Sequence, residues 1–237
     1  MIKKEILSLC LCAGFIMSLN TCYINNEANE TFGKSNSVYM GSANKEFANY
    51  LTKVESLERV EKEITDEVIE RKADEEKERK AHVCFNSYDI GIPSGITREE
   101  IANVLNHSNY ANFLEFSDAF VDAEKEYKVN AFALVAISGI ESRWNKSKRA
   151  NDGSNNITGM NVQSDISKGT MYNSKYDCIM DLARQLRLYY LTSGSCYYSG
   201  VSTSKVNIYY SADAKWYKTV DKIGDELVFE YNRLYRK

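Results

Sequence analysis

The sequence predicts a mainly α-helical protein, in which a charged helical stalk precedes a helical domain. Proline occurs once in 237 residues, whereas a β protein rich in turns would use it at many chain reversals. Hydrophobic residues make up 43% of the chain and charged residues 27%, a composition that supports a buried core and excludes disorder throughout. After Gly95, apolar residues recur at spacings of three and four, which is typical of amphipathic helices.

Residues 1–22 predict a signal peptide or membrane anchor. Met1–Glu5 carries two lysines, and Ile6–Leu19 is a run of fourteen residues without charge, shorter than the about 20 residues of a spanning helix. A basic start followed by a short apolar run is typical of an export signal. We therefore expect an extracytoplasmic protein, secreted or anchored to the cell membrane. Cys22 is a candidate for lipidation, and an uncleaved signal anchor is the alternative.

Residues 23–44 are expected to form a flexible tether, and residues 45–83 a charged helical stalk. Lys45–Lys80 holds nine Lys or Arg and twelve Asp or Glu, with no Gly or Pro. Apolar side chains follow one another at steps of three and four, at Leu51, Val54, Leu57, Val60, Ile64 and Val68. The stripe is compatible with a homodimeric coiled coil or with a single solvated spacer helix.

Residues 84–94, which include Pro93, are expected to link the stalk to a domain over residues 95–237. Five helical patterns mark this domain, namely Thr97–Leu105, Phe116–Tyr127, Ala131–Ile140, Ile179–Tyr190 and Trp216–Tyr231. Thr97 and Glu100 predict a capping box for the first pattern. Asn130 and Asp177 are the candidate N-caps of the third and fourth. Ala131–Ile140 is apolar almost all round, so we expect a buried helix. Asn151–Tyr172 predicts a loop or small hairpin.

Composition excludes several classes of function. Thirty Lys and Arg against 33 Asp and Glu leave a net charge of −3, so nothing favours nucleic acid as a partner. Two histidines, with no HxxxH or CxxC spacing, predict no metal site and no metal cofactor.

Glu141 is the residue most indicative of chemistry. It ends a stretch without charge that begins after Lys128, and on a helix it aligns with Leu134, Ile137 and Ser138. Burial would raise its pKa and keep a proton available for general acid catalysis. Trp144, one turn later, would shield the acid or stack on a sugar. The alternative is an ordinary helix end that pairs with Arg143 or Lys146.

Tyrosine is concentrated around the same part of the chain. Thirteen of the seventeen tyrosines follow Gly95, and eight lie from Tyr172 to Tyr210. Aromatic side chains with a polar tip are suited to a carbohydrate cleft. Tyr172 and Tyr209 are therefore candidate substrate-binding residues.

Tyr127-Lys-Val-Asn-Ala-Phe-Ala-Leu-Val-Ala-Ile-Ser-Gly-Ile-Glu-Ser-Arg-Trp144 resembles the signature of peptidoglycan β-N-acetylglucosaminidases of glycoside hydrolase family 73, the autolysins and phage lysins with a glucosaminidase domain. The similarity continues in order through Asn155–Gly159, Lys175–Ala183 and Tyr210–Trp216, and spans about Ile92–Ile223. Asn145 departs from the pattern, because the family commonly has glycine there.

The resemblance implies a lysozyme-like α+β fold, a helical bundle with a small β-lobe across a cleft. It implies Glu141 as the general acid, Tyr210 as a cleft tyrosine that holds the reacting sugar, and a second acid from the lobe, for which Asp165 is the candidate. An ordinary turn residue is the alternative for Asp165. With Trp144, Tyr172 and Tyr209, the motif residues Asn156 and Gly159 complete the predicted substrate site.

The expected activity is endo-β-N-acetylglucosaminidase cleavage of peptidoglycan glycan strands, without a cofactor. A lytic transglycosylase or muramidase of the same fold, and a non-catalytic wall-binding assembly protein, remain alternatives. Asp165 could activate water and give inversion, or the substrate N-acetyl group could act as nucleophile and give retention.

Overall fold

The computed structural model describes residues 36–162 and 169–236. These residues are mainly helical and include no β-strand, which confirms the predicted mainly α class. The chain divides into two units, residues 1–69 and 70–237. The predicted signal segment and Cys22 lie outside the described residues. Among the helices that are described, none is both long enough and apolar enough to span a bilayer.

Helix α1 (Asn36–His82) forms the described part of the first unit and continues into the second. It begins before the predicted stalk start at Lys45, so residues 36–44, expected in the flexible tether, are helical instead. Extending an existing helix costs far less free energy than nucleating one, which explains why α1 includes residues before the charged segment. Four of the six stripe residues, Leu51, Leu57, Val60 and Ile64, are about half exposed, and Val54 and Val68 are partly buried. The coiled-coil dimer stays a prediction.

The C-terminal end of α1 belongs to the second unit, where Arg236 caps it. The Arg236 guanidinium donates hydrogen bonds of 2.7–3.0 Å to the carbonyls of Lys80, Ala81 and Val83. The last carbonyls of a helix have no partner within it. A cation there satisfies them and also interacts favourably with the helix dipole.

The predicted linker, residues 84–94, is packed into the second unit. Ile90 is fully buried, and the side-chain amide of Asn130 donates to the carbonyls of Cys84 and Ile92, both at 3.0 Å. Glu124 accepts from the Ser94 amide at 2.7 Å. The division between units falls at Ile69–Glu70, inside the predicted stalk, and differs from the expected boundary at 84–94.

Seven more helices and two short turns build the second unit. They are α2 (Arg98–His107), a 3₁₀ turn (Ala111–Phe116), α3 (Ser117–Tyr127), α4 (Ala131–Ser142), α5 (Lys148–Asn151), α6 (Lys175–Gln185), a π turn (Leu186–Tyr190), α7 (Thr203–Tyr210) and α8 (Trp216–Tyr235). Helix α8 packs against α4, α2 and α7, and α3 packs against α6 and α4. Helix α7 and the short α5 have no counterpart among the predicted patterns.

Helix α4 lies in the core, as predicted. All of its residues from Ala131 to Gly139 are buried. The predicted cap is also confirmed, because Asn130 Oδ1 accepts from the amides of Phe132 at 3.1 Å and Ala133 at 3.3 Å. This cap and the apolar surface of α4 fix the direction in which the helix carries its last residues, including Glu141.

The region from Asn151 to Tyr172 is predicted to be a loop or small hairpin, and the resemblance implies a small β-lobe. After Asn151, which ends α5, the described residues form turns and bends, and residues 163–168 lie outside the description. Two backbone hydrogen bonds join its arms, from Tyr172 N to Ser154 O and from Thr170 N to Met160 O, both at 2.9 Å. The described part is therefore the predicted loop, held by polar side chains and turns in place of strand pairing.

Candidate active site

Glu141 lies half-buried one residue before the end of α4. Burial raises the pKa of its carboxyl group, and a hydrogen bond from the Trp216 indole to Glu141 Oε1, of 3.1 Å, partly opposes this shift. Among the residues that the structure describes, neither Arg143 nor Lys146 pairs with Glu141. Of the two predicted environments, the structure therefore has the desolvated acid and not the paired helix end.

Trp216 was missed as a site residue by sequence reasoning. It is the first residue of α8, is 4% exposed, and reaches Glu141 although 75 positions separate the two in the chain. The sequence assigns Trp216 only to a helical pattern and to the end of the Tyr210–Trp216 motif. An aromatic residue that closes a motif was the available signal.

Tyr210 lies beside the same tryptophan. The rings of Tyr210 and Trp216 have centroids 4.8 Å apart at 32°. Burial, and secondly the charge of Glu141, hold the pKa of the Tyr210 hydroxyl well above its ordinary value. The structure thus brings Tyr210 close enough to Glu141 for the carboxyl charge to act on the phenol, which stays protonated as a hydrogen-bond donor.

Gly159 brings backbone up to the acid. Its φ is +69°, a left-handed conformation that favours glycine. A Cβ at this position would lie 3.9 Å from Glu141 Oε2. Asn156 holds the turn that positions Gly159, since its side-chain amide donates to Met160 O and accepts from Met160 N, both at 2.9 Å. Asn156 is 1% exposed, so the structure gives it a positioning contact with the loop.

The remaining predicted residues that the structure describes differ in their contacts and exposure. The Tyr172 hydroxyl donates to Asp181 Oδ2 at 2.7 Å, and burial followed by this bond raises the pKa of Tyr172. Tyr209 is 56% exposed, and its ring centroid is 6.0 Å from that of Tyr197. Asp165 lies outside the described residues, so its part as second acid stays a prediction.

Trp144 occupies a different place from the one expected. Its ring stacks on Tyr110 with centroids 4.2 Å apart and lies over Gly139, where a Cβ would come within 2.5 Å of it. The indole that contacts Glu141 is Trp216 instead. Trp144 therefore packs onto α4 and fixes the end of the helix that carries the acid.

The arrangement can donate a proton. An indole N–H only donates, so it engages an unprotonated oxygen, here Oε1. The proton of neutral Glu141 then resides on Oε2, the oxygen nearest Gly159. No group of three or more His, Cys, Asp or Glu with the geometry of a metal site occurs in residues 36–162 and 169–236.

Comparisons with known proteins point to one class of enzyme. The chain is 30% identical over 132 residues to two proteins of Streptococcus pneumoniae, one from serotype 4 and one from a second strain, both named "Putative endo-beta-N-acetylglucosaminidase". The aligned residues are 54% of this chain but only 20% and 18% of those proteins, so the chain spans about a fifth of their length. No protein-family model matches the chain.

Proposed function

We propose that this protein is a cell-wall hydrolase, an endo-β-N-acetylglucosaminidase that cleaves peptidoglycan glycan strands on the GlcNAc side, with Glu141 as the general acid. The observation that carries the proposal is the environment of Glu141. Burial raises the pKa of its carboxyl group, the Trp216 indole donates to Oε1, and Gly159 lies beside Oε2. The similarity to the two pneumococcal proteins supports the same reaction class.

In this mechanism Glu141 gives its proton to the glycosidic oxygen. The bond from that oxygen to C1 of the GlcNAc unit breaks, and positive charge develops on the sugar ring. The Trp216 N–H interacts more strongly with the carboxylate that remains than with the neutral acid, so it favours proton release at this moment. The protonated Tyr210 hydroxyl is a donor that can hold the reacting sugar.

Water completes the reaction by one of two routes. In the first, Asp165 removes a proton from a water molecule that attacks C1 from the opposite face, and the product has inverted configuration. In the second, the N-acetyl oxygen of the same sugar attacks C1, and water later opens the cyclic intermediate with retention. Asp165→Asn should abolish the first route and cost the second much less.

We further propose that the enzyme acts outside the cytoplasm. The basic and apolar start of the chain motivates this placement, with the membrane as partner through residues 1–22 and lipidation at Cys22 as one way of attachment. The stalk would then hold the domain toward the glycan strands. Whether the stalk also forms a homodimer is a separate proposal, which analytical ultracentrifugation of the full chain tests.

The decisive experiment compares wild-type protein with Glu141→Gln on purified cell walls. Glutamine keeps the shape of the side chain but has no acidic proton, so release of reducing ends should fall by about 100-fold or more. The matched control is Glu99→Gln, which changes an exposed carboxyl group of α2 and should keep full activity. Circular dichroism checks that both variants are folded.

Mass spectrometry of the released glycan identifies the bond that is cut. A GlcNAc reducing end supports the proposal, whereas anhydro-MurNAc products would establish a lytic transglycosylase and a MurNAc reducing end a muramidase. Full activity of folded Glu141→Gln would overturn the assignment of the acid. No wall degradation by the wild-type protein would instead favour a non-catalytic wall-binding protein.

A further inference from the structure

Four tyrosine rings extend from the candidate active site to the protein surface. We call Tyr210, Tyr190, Tyr197 and Tyr209, in this spatial order, the tyrosine array. Successive centroids are 5.5, 5.2 and 6.0 Å apart. The ring of Tyr210 contacts Trp216, whose indole donates a hydrogen bond to Glu141. The array is therefore continuous with the group that we propose to be the acid.

Exposure increases along the array. Tyr210 and Tyr190 are partly buried and pack against the core, whereas Tyr197 is 44% exposed and Tyr209 is 56% exposed. Large aromatic side chains that are exposed side by side indicate a binding surface more often than scattered ones. The two outer rings are thus available to a ligand that already occupies the site at Glu141.

Local backbone structure holds the outer part of the array in place. The π turn Leu186–Tyr190 closes with a bond from Leu191 N to Leu186 O of 3.0 Å, and π turns inside helices occur frequently at functional sites. The following loop folds back, because Tyr197 N donates to Tyr189 O at 3.1 Å and Ser195 Oγ donates to the same oxygen at 2.7 Å. A preordered surface loses less entropy on binding.

The chemistry of the surface favours a neutral sugar. Leu188–Ser204 contains no charged residue and is rich in Tyr, Ser, Thr and Gly. A charged ligand group would find no oppositely charged side chain on this segment. A pyranose ring instead presents an apolar face bordered by hydroxyl groups, which matches a tyrosine ring with its polar tip.

We propose that Tyr197 and Tyr209 form an accessory subsite that stacks on neutral N-acetylhexosamine units of a glycan whose cleaved bond lies at Glu141. This inference rests on the proposed function for the position of the cleaved bond. It assigns the outer array a role in holding long chains, so it predicts that the enzyme binds long oligomers more tightly than short ones.

The test measures binding without turnover in the full-length Glu141→Gln protein. Isothermal titration calorimetry gives Kd for a short and a long β-1,4-linked N-acetylglucosamine oligomer. Replacing both outer rings, with Tyr197→Ala and Tyr209→Ala together, should weaken binding of the long oligomer roughly 3- to 10-fold and leave the short one unchanged. The ring-retaining pair Tyr197→Phe and Tyr209→Phe should bind the long oligomer nearly as the parent does.

Tyr88→Ala is the matched control, because Tyr88 is 84% exposed and is not part of the array. It should change neither Kd. Equal weakening for both oligomers, an unchanged Kd for the long one, or no binding of either oligomer to the parent would overturn the subsite.

Failure of the proposed function has a different signature. A wild-type chain that releases no reducing ends, but whose long-oligomer affinity still depends on Tyr197 and Tyr209, would refute the hydrolase and leave the subsite standing. If the wild-type chain hydrolyses cell walls but the variants of Tyr197 and Tyr209 keep full affinity for the long oligomer, the subsite is refuted and the hydrolase stands.

Discussion

Glu124 should determine whether the helix that carries Glu141 is held in place. This buried carboxyl group of α3 accepts backbone hydrogen bonds from Ser94 at 2.7 Å, Gly95 at 3.1 Å and Ala131 at 2.6 Å. Ala131 is the first residue of α4, so one side chain joins the segment before α2 to the start of the candidate catalytic helix. We predict that Glu124→Ala destabilises the protein strongly.

The size of the effect follows from the burial of the three donors. The residues Ser94 and Ala131 are at most 1% exposed, while Gly95 is exposed to solvent. A buried donor without a partner costs about 1–3 kcal/mol, and solvent can satisfy the Gly95 amide. Two lost partners, with the lost interaction between a carboxylate and the α4 N-terminus, amount to about 3–5 kcal/mol. This is a large part of the about 5–15 kcal/mol that stabilises a typical domain.

Urea unfolding followed by circular dichroism measures this loss as a lower midpoint at constant slope. Glu124→Gln should lose less, because one carbonyl oxygen still accepts. Glu126→Ala, which removes an exposed carboxyl group of the same helix, should stay within about 0.5 kcal/mol of wild type. If Glu124→Ala unfolds within about 1 kcal/mol of wild type, these bonds do not hold α4 in place.

Two further predictions concern pH. Because a general acid must be protonated, hydrolysis should decline as pH rises through the raised pKa of Glu141. Trp216→Phe removes a hydrogen bond that lowers this pKa, so the decline in the pH–rate profile should move to higher pH. An unmoved profile would contradict the assigned contact. Arg79→Met should cost about 2–3 kcal/mol at neutral pH by leaving buried Glu100 without its 2.6 Å ion pair. Burial raises the pKa of Glu100, but hydrogen bonds from Arg79 and Thr97 outweigh burial and lower the pKa overall. The stabilisation by Glu100 is therefore present above its unfolded-state pKa and is lost as the pH falls through its folded-state pKa. In acid, the thermal unfolding temperature of the variant should approach that of wild type.

Sequence patterns predicted the elements that depend on neighbours in the chain. The capping box is confirmed, since Glu100 N donates to Thr97 Oγ1 at 3.3 Å and Thr97 N donates to Glu100 Oε2 at 3.0 Å. The buried helix after Asn130 is also confirmed, because its apolar residues are buried and Asn130 caps its first turn. The predicted cap Asp177 is wrong, because Ser174 is the N-cap of α6 and accepts from the Asp177 amide at 3.1 Å. Both residue types suit a cap, and the apolar spacing did not separate two candidates three positions apart.

Contacts between distant residues explain what the patterns missed. The segment 84–94 contains Gly91 and Pro93 and resembles a linker, yet it is packed because Asn130 and Glu124 supply partners from the start of α4 and from α3. Glu141 was predicted from local pattern and its burial is confirmed, but its partner Trp216 comes from another helix. No spacing within α4 could have revealed that partner.

The residues after Glu141 explain how the chain departs from the family that it resembles. Arg143, Trp144 and Asn145 have φ of 52°, 57° and 64°, a conformation that costs ordinary residues about 1–2 kcal/mol each and glycine or asparagine less. Asn145 therefore occupies a conformation that also suits glycine, the residue common at this position in the family that the sequence resembles. Its side chain also accepts from Lys175 Nζ at 2.8 Å, a contact that glycine cannot make.

Trp144 tolerates this conformation because its surroundings fix it. Its amide donates to Gly139 O at 2.8 Å, and its ring covers Gly139 at a distance that no Cβ would allow. Gly139, Trp144 and Asn145 therefore specify how α4 ends. Within the resembling string, Gly139 and Trp144 account for structure, whereas the half-buried carboxyl group of Glu141 is the member whose environment suits proton transfer. In this chain, the string therefore specifies how one acid is presented at the end of a buried helix.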